Sequence, residues 1–460
     1  MRGVAFDEAT RTRDVAGAAR LLAELGALAD PSARDVLVLD GGTDGDPVEE
    51  WAACGAMALT GEPDGPGRPP PAAVTERLRS AALAVRVLSA RLGNVVDLDA
   101  PALLGERAAI AGLSRQGTTS PGGSCRLLRA RDGWVACNLA RPDDFAMLPA
   151  LLQADVRGDP WDAFAAWLAR VDAIAAVERA QLLGLPVSRA VTPLEALTDE
   201  QARARGRTLS SPPFLLTPGA RRVRSAPPLV VDLGALWAAP LCTSILRDAG
   251  ARVIKVESPT RPDGARRGPP RFFDLMNGGK EAVCLDLHGP VLGALLERAD
   301  VVVESSRPRV MAELGVDPLA LVTERGVTWV GITAYGRTGP WRDRVGFGDD
   351  TAAAGGACAL LGDDGPPLVC ADAFADPIAG LYAALGALAC LVGRRGALLD
   401  VALREVVTHV LSDSDGRRTG RAPTGVRASA PRAREPVAPG PRLGEHTATV
   451  LAELGLERLE

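Results

Sequence analysis

"PLVVDLGALWAAPLCTSILRDAGARVIKVE", residues 228–257, reads as strand, helix, strand. "LVVDL" carries consecutive β-branched and apolar residues, the pattern of a strand buried on both faces. "APLCTSILRDAG" places its apolar residues at helical spacing and stops at a glycine. "RVIKVE" is a second strand. The alternation continues through "AVCLDL" (282–287), the helix "GPVLGALLERA" (289–299), "DVVVES" (300–305), a helix around "MAELGVDPLALVTERG" (311–326) and "VTWVGITAY" (327–335). Apolar strands separated by amphipathic helices predict βαβ units. The fold class expected is α/β: a Rossmann-like parallel sheet with helices on both faces, plus a smaller α+β domain. Ligands of such sheets gather beyond the C-terminal ends of the strands.

Composition bounds the function. The chain has 460 residues, enough for two or three domains, with 47% hydrophobic and 24% charged residues. The formal net charge of −5 implies no general affinity for nucleic acid or anionic membranes. The N-terminal "MRGVAFDEATRTRD" is polar, unlike a signal peptide, and no uninterrupted apolar run approaches membrane-spanning length. A cytoplasmic protein is expected. Eight cysteines lack CxxC spacing and read as buried thiols. Histidine occurs only at 288, 409 and 446, so a His-ligated metal or a His-based triad has little material, and no metal is expected. The only lysines are Lys255 and Lys280.

Residues 36–110 and 327–410 read as two copies of one unit. "GAMALTGEPDGPG" (55–67) matches "GACALLGDDGPP" (356–367). "RLRSAALAVRVLSARL" (77–92) matches "PIAGLYAALGALACLV" (377–392), and "NVVDLDAPALLGERAAI" (94–110) matches "ALLDVALREVVTHVL" (397–411). Matched order over three segments favours duplication. The order strand, helix, loop, helix, strand, helix is expected in both. Where the second copy has "FADPIAG" (374–380) the first has "AVTERLR" (73–79), without an aspartate. The domains expected are a degenerate first copy (1–115), a small α+β domain with the hairpin "CRLLRARDGWVACNLA" (116–225), the Rossmann-like domain (226–411), a disordered Arg/Pro/Ser/Gly linker (412–440) and a helical tail (441–460).

"ADPIAGLYAALGALACL" (375–391) opens with Asp376. Its bland reading is a helix N-cap with Pro377 at the first helical position. A second carboxylate, Asp372, stands four residues earlier.

Several stretches together resemble the family III coenzyme A transferases (the CaiB/BaiF family, with formyl-CoA transferase and alpha-methylacyl-CoA racemase). They are the opening segment, "FFDLMNGGKEAVCLDL" (272–287), "ADVVVESSRPRVMAELGV" (299–316), "ITAYGRTGP" (332–340), the Asp376 helix, "LLDVALREVV" (398–407) and "PRLGEHTATVLAELG" (441–455). The order is rearranged, since the part that resembles the family's small domain precedes the nucleotide-binding half. The resemblance implies homodimers, which interlock in the family.

It also implies an activity: a CoA-transferase that moves CoA from an acyl-CoA to a carboxylic acid. The implied nucleophile is Asp376, passing through aspartyl anhydride and aspartyl-CoA thioester intermediates. Both partners are substrates, and no resident cofactor is implied. A helix N-terminus favours an ionised carboxylate and can stabilise an oxyanion. The CoA contacts implied are Ala238, Leu275, Asn277, Lys280, Ser305, Ser306 and Arg307. "TRPDGARRGPPR" (260–271) adds arginines suited to phosphate, among them Arg261. Three departures from the family pattern stand out. Trp237 occupies the place of an assisting glutamine. "ESSRPR" replaces "ENFRPG". The glycine-rich "GGGG" loop of oxalate-using members is missing. A racemase or isomerase reading needs a second base, and Phe347 in "VGFGDD" stands at the racemase histidine position. A non-catalytic acyl-CoA-binding homologue is the remaining alternative.

Overall fold

The computed structural model describes residues 1, 4–30, 36–362, 365–414, 416, 419 and 425–459. Its strands are β1 (Ala5–Glu8), β2 (Leu28–Ala29), β3 (Val36–Leu39), β4 (Cys125–Arg129), β5 (Trp134–Asn138), β6 (Val187–Arg189), β7 (Leu215–Arg221), β8 (Leu229–Leu233), β9 (Arg252–Glu257), β10 (Glu281–Cys284), β11 (Val301–Glu304), β12 (Thr328–Thr333) and β13 (Arg395–Ala402). The main sheet runs β10-β9-β8-β11-β12-β13-β7, parallel except for β7, which pairs antiparallel with β13. This is the α/β class expected. From β8 the chain winds outward through β9 and β10. It then crosses to β11 and winds the other way, so β8 and β11 flank the point where the strand order reverses and a crevice opens.

Two smaller sheets precede it. β2-β1-β3 is parallel and belongs to the N-terminal unit; β4-β5-β6 is antiparallel and holds the expected hairpin. In the N-terminal copy the strand expected near 94–99 is absent: the segment is irregular and leads into a 3-10 turn at Ala100–Gly105. The rest of the repeat is visible. Gly55 and Gly356 both take positive φ ahead of a short 3-10 turn, and Gly61 and Gly362 do so after it. At Gly55 the demand is double, because a Cβ would also meet Pro431 Cα at 2.6 Å.

The two long helices of the repeat, Val74–Ala90 and Ala375–Gly393, pack against each other. Ala375–Gly393 has 19 residues and a mean hydropathy of 1.7, long and apolar enough to cross a membrane by those measures, contrary to the sequence expectation. Here 89% of its most apolar 18-residue window is buried inside the protein. Helix Ala238–Asp248 lies on its other side, so closely that a Cβ on Gly380 would come within 2.7 Å of the Ala238 carbonyl oxygen. Glycine at 380 is what lets this neighbour come so near.

The expected disordered linker needs correction. Part of 412–424 lies outside the described residues, but residues 425–440 form an ordered strap without regular structure. Ser429 N–H donates to Ala52 O at 2.9 Å, and Arg432 Nη1 donates to Ala53 O at 2.8 Å. Arg434 forks onto Glu106 at 2.6 and 3.0 Å, and Glu106 is 1% exposed. Gly440 N–H donates to Asp274 at 2.7 Å. Arg/Pro-rich composition excluded a helix or strand, but these arginines find carboxylates that need them. Arg434→Ala leaves Glu106 buried and unpaired. With Arg434 itself partly exposed, we expect a loss of about 2 kcal/mol, read as a lower urea midpoint.

Candidate active site

The loop before helix Ala375–Gly393 is unusual backbone. Ala371 and Ala373 have φ of 52° and 45°, left-handed conformations that disfavour a side chain by about 1–3 kcal/mol each. The surroundings hold them there. Ala371 N–H donates to Thr60 Oγ1 at 3.0 Å, Ala373 N–H donates to Asp349 Oδ1 at 2.8 Å, and Val369 N–H donates to Gly117 O at 3.0 Å. Phe374, next in line, packs edge-on against Trp51 with ring centroids 6.5 Å apart.

Asp376 is not the helix cap. The helix begins at Ala375 with Phe374 as its cap residue, and Asp376 sits in the first turn. The capping expectation fails because the tight turn at 371–374 starts the helix two residues earlier. The Asp376 carboxylate is therefore left for other work. The residue is only partly buried. Asp372, the competing carboxylate, is 0% exposed and gripped by Arg107: Nε donates to Oδ2 at 2.8 Å and Nη2 to Oδ1 at 2.5 Å. Arg107 lies on the short helix Glu106–Ala111 of the first copy.

Three carboxylates thus crowd one guanidinium. Burial, with Asp349 and Asp372 nearby, pushes the Asp376 carboxyl up to about 7, against the pull of Arg107 and a hydrogen bond from Gly348 N–H. Burial and Asp372 likewise raise Asp349 to about 7. A carboxylate held near neutrality is still ionised in good part, and it is a stronger base and nucleophile than an ordinary aspartate. Trp237 stands over Arg107, with the guanidinium carbon 5.7 Å from its ring centre, and packs edge-on against Phe272 at 5.3 Å. Its Nε1 is buried without a hydrogen-bond partner.

The expected CoA contacts divide into two groups. Lys280 is 3% exposed and its Nζ is fully engaged: Asp232 at 2.9 Å, Thr243 Oγ1 at 2.8 Å, Pro240 O at 3.1 Å and Asn277 Oδ1 at 3.1 Å. Burial pushes it down to about 8, with Asp232 opposing. Asn277 and Leu275 are buried beside it, and Ala238 is 7% exposed. Lys280, backed by Asn277, therefore ties β8 to helix Ala238–Asp248, in place of the phosphate contacts expected of them. Lysine in this motif marked a buried carboxylate, Asp232, that sequence alone did not pair with it.

The second group stays at the crevice mouth. Ser305 is exposed and accepts from Ala235 N–H at 3.2 Å, joining the β8 and β11 ends. Ser306 donates to Glu304. Arg261 is exposed, Arg307 is partly buried, and neither makes a salt bridge among the described residues. Burial, then Arg309 and Arg261, depress the Arg307 guanidinium. Of the other arginines of 260–271, Arg266 is engaged by Glu257 at 2.6 Å and Arg271 by Glu435 at 2.7 Å.

Sequence reading missed Arg107, Asp349, Thr60 and Trp51. The repeat was the available signal: two copies of a packing unit tend to pack on each other, which points residues of one at the functional loop of the other.

Residues 228–447 match the family described as CoA-transferase family III. Among curated proteins, the succinyl-CoA–D-citramalate CoA-transferase of Chloroflexus aurantiacus is 34% identical over 199 residues, 40% of this chain and 50% of that protein. The succinate–glutarate CoA-transferase of Agrobacterium fabrum is 32% identical over 216 residues, covering 41% and 54%. A solved CaiB/BaiF family protein from Brucella suis shares 31% identity over 40% of this chain and 54% of that one, with a TM-score of 0.38. The chain spans about half the length of the curated relatives it matches.

The raised carboxyl of Asp376 has a stability consequence with a definite sign. Between about pH 4, where the unfolded aspartate ionises, and about 7, the folded state holds a proton that the unfolded state has lost. Stability contributed by this group therefore falls as pH rises through that window. Asp376→Asn should gain about 1–2 kcal/mol in urea unfolding at about pH 8.5, after allowance for solvent screening, and almost nothing near pH 4.

Proposed function

We propose that the chain is a CoA-transferase that moves coenzyme A from an acyl-CoA to a carboxylic acid, with Asp376 as the covalent nucleophile. The observation that carries the reading is the Asp376 carboxylate: partly exposed, released from capping, and poised near neutral pH at the head of a buried helix.

The steps balance without water or an external proton. One Asp376 oxygen attacks the thioester carbonyl, the C–S bond breaks, and CoA thiolate leaves a mixed anhydride. The thiolate then attacks the aspartyl carbonyl carbon, expelling the donor acid and forming an aspartyl-CoA thioester. The acceptor carboxylate attacks that same carbon and displaces thiolate. Finally the thiolate takes the acceptor acyl group and restores Asp376. Each step exchanges one activated acyl bond for another, which keeps the barriers comparable. CoA is a substrate here, in keeping with a cytoplasmic setting where such thioesters are made and used.

The crevice between the β8 and β11 ends is the place proposed for CoA. Arg261 and Arg307 supply phosphate contacts and Ser305 and Ser306 form its rim. The two free guanidiniums are what support it. Phe347, at the racemase histidine position, supplies no base, so acyl transfer is preferred to racemisation.

Incubation with acyl-CoA followed by quenching and mass spectrometry should find a hydroxylamine-sensitive acyl or CoA adduct on the Asp376 peptide, absent in Asp376→Ala. Bound CoA with no adduct would make the protein a binding homologue, and deuterium wash-in at the α-carbon without acyl exchange would make it an isomerase. Arg307→Ala and Arg261→Ala should each raise KM for acyl-CoA about tenfold, the size of one charge-assisted hydrogen bond, with kcat little changed and the effect shrinking in high salt.

A further inference from the structure

We infer that the N-terminal repeat is a working part of the acyl-transfer centre, and that Arg107 is its positioning residue: it fixes the loop that aims Asp376 and presents positive charge to that carboxylate. The inference rests on the reading of Asp376 as nucleophile and adds to it a second unit that the site cannot do without.

The first support is how the loop is held. Between residues 369 and 374, most of the anchors come from residues 51–117, outside the segment that defines the family. Gly117 accepts from Val369, Thr60 accepts from Ala371, Arg107 grips Asp372 in both forks, and Trp51 braces Phe374. From the C-terminal half come Asp349, which accepts from Ala373, and Cys358, which is hydrogen-bonded to the Cys370 backbone. Two alanines in left-handed backbone do not stay there unaided. Remove the N-terminal anchors and the loop is free to relax, carrying Asp376 with it.

The second support is the charge count. The groups acting on Asp376 are Arg107 from the first copy, Asp349 at the start of helix Gly348–Gly355, and Asp372 on its own loop, with Gly348 N–H as a neutral donor. Arg107 is the one cation among them. Its side chain is 31% exposed and its Nη1 makes no hydrogen bond among the described residues, so its third nitrogen remains open toward a ligand. As acyl transfer turns a carbonyl into an oxyanion beside Asp376, a fixed guanidinium there stabilises the charge without reorganising.

The third support explains what keeps Arg107 in place. Its neighbour Glu106 is clamped by Arg434 of the strap, and Trp237 covers the guanidinium. Strap, first copy and catalytic loop form one mechanical chain.

The test uses the full-length chain and two readouts. One is the rate of adduct formation against pH; the other is the titration of the Asp376 carboxyl carbon by 13C NMR, assigned by its loss in Asp376→Asn. Arg107→Gln should lower the plateau rate at least about tenfold and move the Asp376 midpoint up by about one pH unit. Arg107→Lys, which keeps the charge but not the fork, should restore the midpoint more than the rate. Should Arg107→Gln fail to fold, the double variant Arg107→Gln with Asp372→Asn also removes the buried charge that Arg107 grips directly and should still lose the rate. A folded Arg107→Gln with wild-type rate and wild-type midpoint would overturn the inference. The two readings fail separately. No adduct in wild type, with a midpoint that still moves, removes the transferase reading and leaves Arg107's hold on Asp376. An adduct indifferent to Arg107 does the reverse.

Discussion

The bidentate ion pair between Arg107 and Asp372 joins the two halves of this protein at the point where chemistry is proposed. It is formed across 265 residues of sequence. One partner is fully buried and the other partly so, the arrangement in which geometry counts most. A buried carboxylate without its cation would take up a proton or rearrange the loop. With it, Asp372 stays in place, the left-handed turn stays formed, and the helix starts at Ala375 instead of at Pro377. The freedom of the Asp376 side chain is thus a consequence of an interaction made four residues earlier by another part of the chain.

Duplication gives that interaction its logic. In a repeat whose long helices pack face to face, each copy lies against the functional loop of the other. The first copy has lost the aspartate, but it still supplies a packing surface and donors. The strap follows from the same arrangement. It lies along the first copy, between Ala52 and Glu106, and reaches the helix Pro270–Asn277 at its far end, tying the N-terminal unit to the sheet side of the crevice.

What could be read from the sequence was local and periodic. Consecutive apolar strands with helices between them gave the parallel sheet, and the Asp-Gly hairpin and the main-domain motifs fell where expected. What escaped was set by distant partners. Nothing near Lys280 announces that four acceptors surround it. Nothing near Asp376 announces that alanines would turn left-handed before it, since that depends on Thr60, Gly117 and Arg107. The linker failed for a related reason: an Arg/Pro-rich run lacks the pattern of regular structure, yet order needs only partners, and Glu106 and Asp274 provide them.

The two lysines show the same principle beneath the crevice. In a chain that otherwise uses arginine, both are buried and both face Asp232. Burial opposes ionisation of that carboxyl, but Lys280 and Lys255 outweigh it and hold it below the usual carboxylate range. A compact ammonium fits such a packed site where a planar guanidinium would not. Asp232 accepts from Gly234 N–H at 2.9 Å, Lys255 donates to Gly234 O at 2.8 Å and meets Asp263 at 2.9 Å, and Asp263 accepts from Leu236 N–H at 2.9 Å. Leu236, at φ 67°, is thereby held in another left-handed turn. That turn delivers Trp237 to its place over Arg107. The buried lysines thus shape the crevice indirectly, by fixing the loop whose last residue covers Arg107.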